Sequence, residues 1–128
     1  LTNQVEVLLI VMVALDVEAI FAAALNIQLN IEKSISVTFS TSGISIKFPT
    51  TRRLAEFLDV PHYYVLPYFA MMEQEALVTR AERVGIMTTT KGTKKLIGLM
   101  AQYYRPESEA LLGPVIFQEI VRRVQDTA

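Results

Sequence analysis

Residues 50–96, TTRRLAEFLDVPHYYVLPYFAMMEQEALVTRAERVGIMTTTKGTKKL, decide how this chain is read. They predict, in order, a short helix, a tight turn, a longer helix, a strand, a polar tip, a second strand and the start of another helix. Pro49 stops the preceding segment, and Thr50 or Thr51 offers an oxygen to the free amides of a first turn, so the first helix covers 50–58. Leu54, Phe57 and Leu58 share one face of it. Asp59-Val60-Pro61 makes the turn, with Pro61 suited to open the second helix because the first helical amide has no partner to lose. From Pro61 to Leu77 the positions Val65, Phe69, Met72 and Ala76 recur at helical spacing and form a packing stripe. Pro67 removes one intrahelical donor and crowds the carbonyl of Tyr63, so this helix either kinks there or begins there. Residues 78–80 and 86–88 alternate as strands around a tip of Ala81, Glu82, Arg83 and Gly85.

Upstream of this stretch the hydrophobic period is 2. Ile35, Val37 and Phe39 alternate with polar residues, as do Ile44, Ile46 and Phe48, which predicts a hairpin of 35–39 with 44–48. Ser40-Thr41-Ser42-Gly43 turns it, and Glu32-Lys33-Ser34 turns into it. Residues 27–31 read either as a third strand or as the frayed end of the helix before them. That helix is capped by Thr2 or Asn3 and runs from Val5 to Leu25, with residues 7–15 apolar all round. A helix without a polar face is covered on every side. A membrane span needs about 20 nearly uncharged residues, and Asp16 and Glu18 interrupt this one, so the predicted cover is a partner chain. Downstream, residues 93–104 predict a helix with Leu96, Leu99, Met100 and Tyr103 on one side, ended by Pro106. Residues 108–124 predict a last helix bearing Leu111, Leu112, Val115, Ile116, Ile120 and Val124, bent near Gly113-Pro114.

The runs LAEFLDV, MMEQEALVTR and GIMTTTKGTKKL resemble the winged helix-turn-helix regulators of the MarR-like and related archaeal and bacterial classes, whose recognition helix closes with EEKGLV and whose wing leads into LTEKGRKLL. The resemblance covers about residues 44–100. It implies an α+β fold, a winged helix-turn-helix with an N-terminal apolar helix (about 3–25), an added β-hairpin and C-terminal dimerisation helices (about 108–125), in a single domain over 1–128. It also implies a homodimer joined through the flanking helices, with Val7, Leu8, Val11, Leu15, Leu112, Ile116 and Ile120 at the interface. The chain departs from the family at two points. Ala76 stands where a Gly precedes Leu77, and the second motif helix carries no Lys or Arg from Pro61 to Thr79.

Net charge is −1, yet its distribution is uneven. From Lys47 to Arg105 there are nine cations and five acids, a net of plus four, while both ends of the chain are acidic. Positive charge gathered in the motif attracts phosphates. With no Cys there is neither a disulfide framework nor a thiolate metal site, and no charged n-region precedes a short apolar core and cleavage site, so the expected location is cytoplasmic. No cofactor is expected. Catalysis finds no motif: His62 is the only histidine, and Asp16 with Glu18, like Glu73 with Glu75, lie two apart on a helix and do not face each other.

Two functional classes remain. In the first the chain is a dimeric regulator of double-stranded DNA. Wing residues Arg80, Arg83 and Lys91 and the helix-start cations Arg52, Arg53, Lys94 and Lys95 hold phosphates, while His62, Tyr63 and Tyr64 supply base contact. In the second the same scaffold serves protein assembly, and Tyr63, Leu66, Pro67, Ala70 and Met71 form an exposed apolar patch that docks a protein partner.

Overall fold

The computed structural model describes residues 15–126. Asp16 opens its first element. In extended conformation, this residue accepts the amide of Ala19 on its carboxylate at 2.7 Å and so caps α1, Val17–Asn26. The long helix predicted from Val5 therefore does not run through Asp16, because a carboxylate that bonds the backbone ahead of it favours a start over an interior position. The portion before residue 15, and with it Val7, Leu8 and Val11, lies outside the described residues. Nor do residues 27–31 form a strand. α1 continues directly into a π-helical turn, Ile27–Ile31, closed by the bond from the Glu32 amide to the Ile27 carbonyl at 2.8 Å.

Lys33, at φ 50°, then turns the chain into the predicted hairpin. β1 (Val37–Ser40) pairs antiparallel with β2 (Gly43–Ile46), Val37 opposite Ile46 and Ser40 opposite Gly43. β2 runs on into a second hairpin: Lys47 bridges Met87, and the Phe48 amide donates to the Ile86 carbonyl at 2.8 Å.

Thr50 caps α2 (Thr51–Leu58) by accepting the Arg53 amide at 3.1 Å. The helix ends when Asp59 takes a left-handed conformation, which lets the Val60 amide reach the Ala55 carbonyl and the Asp59 amide reach that of Glu56. α3 spans His62–Gln74 with Pro67 inside it, so it begins well before the proline, and Pro61 precedes it as the cap. Val65, Phe69 and Met72 are buried as the spacing predicts; Ala76 is exposed and outside the helix. There it repeats the ending of α2, with φ 58° and bonds from the Leu77 amide to Met72 and from the Ala76 amide to Glu73.

β3 (Val78–Ala81) and β4 (Gly85–Thr88) form the second hairpin, Val78 opposite Thr88. Thr89 caps α4 (Thr90–Tyr103), which starts three residues earlier than its apolar pattern suggests; Leu96, Ile97 and Met100 face inward, whereas Tyr103 is exposed. Pro106 does not only end α4. It is the second residue of α5 (Arg105–Leu112), and Gly113 at φ 85° separates α5 from α6 (Pro114–Gln125), so the predicted bent helix is two helices.

Among the described residues the chain is thus a mixed α+β assembly of six α-helices and two small antiparallel hairpins around one core. Three rings run through that core edge to face, Phe21 on Phe48 at 5.3 Å and Phe48 on Phe69 at 5.9 Å, locking α1, the link into α2, and α3 together. A buried hydroxyl pair joins the hairpins to α4: Thr88 accepts the Ile46 amide, Thr93 lies 2.7 Å from Thr88, and Thr93 reaches the Ile44 carbonyl. No helix among the described residues is long and apolar enough to cross a membrane.

Candidate nucleic-acid interface

Five of the seven cations singled out in the sequence fall into two groups at the ends of the β3–β4 hairpin, and two lie on α2. Arg83 sits at its tip with φ 67°, and Arg80 lies on β3 opposite Ile86, one pair from the turn. Lys91, Lys94 and Lys95 occupy the first turns of α4, at the far end of β4, which at four extended residues is roughly 13 Å long. Arg52 and Arg53 are the second and third residues of α2.

Their pairing differs. Arg52, Arg83 and Lys94 are exposed and engage no partner among the described residues. Arg53 is held by Glu32 at 3.4 Å and Glu56 at 3.6 Å, and Arg80 by Glu73 of α3 at 3.2 Å. Lys91 donates to the Glu75 carbonyl at 3.0 Å, just past the end of α3. Lys95 pairs with Glu18 and lies 5.7 Å from the Phe21 ring centre, which ties it to α1. Three of the seven side chains therefore meet an incoming anion without first leaving a protein partner. The four others exchange an exposed contact of small individual worth.

His62 does not project freely. Its Nε2 lies 2.7 Å from the Thr51 hydroxyl, so it bonds the start of α3 to the start of α2 across the turn. Tyr63 and Tyr64 pack edge to face at 4.6 Å, and a hydrogen bond with Tyr63 pushes the Tyr64 phenol above its ordinary range. Along α3 as far as Met71 the exposed side chains are apolar or aromatic: Tyr63 is 63 % exposed, Met71 45 %, with Leu66, Pro67 and Ala70 also open, while Glu73 and Gln74 at its end are exposed and polar. Tyr63, Tyr64, Pro67, Tyr68 and Met71 line a groove of about 470 Å³ with Leu15 at its edge.

Of the residues assigned to a dimer contact, Leu15 and Ile120 belong to the core of the single chain, Leu112 is half-buried, and Ile116 is 57 % exposed. Ile116 and Ile120 border a cleft of about 300 Å³ with Phe39 of β1 on its other side.

Lys47 counts among the nine cations of the motif segment without an assigned contact, and Gln28 is marked by no pattern at all. Lys47 is exposed and shares a polar cavity with Arg53, while Gln28 is buried against the Lys47 carbonyl. Nothing local marks them, because residues 28, 32, 47 and 53 meet only when α1 packs beside α2. Among the described residues no group of three His, Asp or Glu is placed to hold a metal ion. No family model matches the chain, and no curated protein or solved structure matches it.

Proposed function

We propose that the chain is a dimeric winged helix-turn-helix regulator that binds double-stranded DNA mainly through phosphate contacts. The observation that carries the reading is the succession of α2, a three-residue turn, α3 and a two-stranded hairpin docked on β2, with Arg52 at the first helix and Arg83 at the hairpin tip both without a partner among the described residues. In that reading the β3–β4 hairpin is the wing and α3 is the recognition helix. The apolar surface of α3 offers contact to thymine methyl groups and phenols to phosphates, but no cation for base edges, so affinity is electrostatic and only modestly selective.

Salt titration tests it. Log affinity for duplex DNA falls linearly with log salt at roughly −0.9 per phosphate contact, and Arg52→Ala with Arg83→Ala flattens the slope by about two while weakening random and preferred sequences alike. An unchanged slope in that double variant overturns the phosphate assignment.

One observation favours a second reading. Tyr63, Leu66, Pro67, Ala70 and Met71 are an open apolar surface with a groove beside it, the form of a protein-docking face rather than of a base reader. Met71→Glu separates the two: a charge facing phosphates lowers DNA affinity on the first reading, whereas on the second DNA behaviour is unchanged and protein assembly is lost.

A further inference from the structure

A cavity of about 360 Å³ lies between the π-helical turn and the start of α2, and Gln28, Glu32, Lys47, Thr50 and Arg53 line it. Its volume falls within the range of small-molecule sites. Three features set it apart from ordinary polar surface. The π turn is one. Such turns are rare and recur at functional sites, and here the Glu32-to-Ile27 bond spans five residues, placing Gln28 and Glu32 on the same wall.

The second feature is Gln28. It is only 5 % exposed, and its Nε2 donates to the Lys47 carbonyl at 2.6 Å. That bond sets the orientation of the amide, since a flip would oppose two oxygens. The remaining atom, Oε1, is buried and has no hydrogen-bond partner among the described residues. A buried acceptor left in this state is destabilising and calls for an explanation.

The third feature is charge. Glu32 and Arg53 face each other at 3.4 Å, with side chains 48 % and 32 % exposed, while Lys47 has no ion-pair partner among the described residues. A simple anion drawn to Arg53 would displace Glu32 and then sit beside it, like charge against like. A simple cation drawn to Glu32 would orphan Arg53 from that contact. A zwitterion avoids both faults, because its carboxylate takes Arg53 as its ammonium takes Glu32, and one exposed pair becomes two. The three charged groups that line the cavity sum to plus one, with Glu56 outside the lining also 3.6 Å from Arg53. A second ligand carboxylate would pair Lys47, the lining cation without an ion-pair partner among the described residues.

From this arrangement we infer that the cavity binds a free α-amino acid, with an acidic side chain preferred. The α-carboxylate lies on Arg53, the ammonium on Glu32 and the side-chain carboxylate on Lys47. The ammonium brings a further N–H donor to the wall that holds Gln28, beside those of Lys47, Arg53 and Thr50. Bound there, the ligand joins α1 to α2 more firmly than the Glu32–Arg53 pair does alone.

The test uses the free 128-residue protein, without DNA, so its outcome is independent of the DNA reading. Melting temperature and calorimetric heats are measured against L-glutamate, L-aspartate, glycine, glutarate, 1,4-diaminobutane and inorganic phosphate at matched ionic strength. A ligand that binds the folded form raises the melting temperature. The expected order is glutamate and aspartate above glycine, with glutarate, the diamine and phosphate without effect. Glu32→Gln, an exposed and conservative change checked for folding by circular dichroism, lowers glutamate affinity at least about tenfold. Equal shifts with glutarate or phosphate, unaltered glutamate binding in Glu32→Gln, or no shift with any amino acid at about ten times the millimolar scale of a weak site overturns the assignment.

Discussion

Gly92 and Ala76 both lie at the junction where α3 ends and α4 begins, and each is governed by backbone sterics. A Cβ on Gly92 would lie 1.8 Å from the Leu77 carbonyl oxygen and 2.8 Å from its carbon. Main-chain atoms cannot give way as a flexible side chain can, so Gly92→Ala forces α4 off the start of β3. The expected cost is about 1–3 kcal/mol or more, read as a lower urea midpoint. Ala76 shows the opposite case. It holds φ 58° at the end of α3, a conformation that costs a residue with a Cβ about 1–2 kcal/mol and Gly nothing comparable. Ala76→Gly is therefore expected to raise stability, net of glycine's greater unfolded-state freedom, by up to about 1 kcal/mol. An unchanged or lower urea midpoint contradicts this account.

At the scale of elements, the helix ends are where local chemistry and structure agree most closely. Asp16, Thr50 and Thr89 each accept the amide three residues on, and each begins a helix. The last helix is held on its outer side by charge. Glu119 accepts from Arg122 at 2.6 Å and from Arg123 at 3.0 Å, and those bonds lower its carboxyl to about 2; the same contact raises Arg122. Because the folded value lies below the unfolded one, the contribution to stability is complete above the unfolded pKa and disappears as pH falls through about 2. These groups are open to solvent, so the effect is small and shrinks in salt. Ellipticity at low salt is expected to fall more between pH 5 and 2 in the parent than in Glu119→Gln. Matching profiles for the two proteins would assign the acid sensitivity elsewhere.

For the whole molecule, the question is what lies against α6 and β1. Val115 is 80 % exposed and Ile116 is open beside it, while Phe39 projects from β1 across the adjoining cleft. The dimeric reading places a second copy on this face, as an isologous contact in which the same patch serves both protomers. Sedimentation is then expected to give a dimer at about tens of micromolar, and Ile116→Glu a monomer of unchanged circular dichroism. A parent protein that sediments as a monomer at that concentration overturns it. Ile120 would make a poor test, because it packs in the core of its own chain and its loss would unfold the protomer.

Short-range physics was readable without the structure. The Thr50 cap, the Asp59 turn, the alternation that makes both hairpins and the stripe of Val65, Phe69 and Met72 depend on neighbours within a few residues. Each is found near where the pattern places it, the first hairpin shifted to 37–40 with 43–46 and Ala76 left outside the stripe's helix. Where the pattern erred or left a choice open, the local signal was ambiguous: Asp16 can interrupt an apolar run or cap a new helix, Pro106 can end one helix or open the next, and Ile27–Ile31 can alternate as a strand or continue the helix before it, the alternative found. Tertiary packing resolved these, since only the folded chain shows which carbonyls and amides remain to be satisfied. It also decided which charges are available. Sequence counts Arg52 and Arg53 alike, yet Glu32, 21 residues before Arg53, pairs with it, while Arg52 has no partner among the described residues. The polar cavity has the same origin: Gln28, Glu32, Lys47 and Arg53 belong to separate segments, and proximity between separate segments is a property of the packed chain, carried by no local pattern.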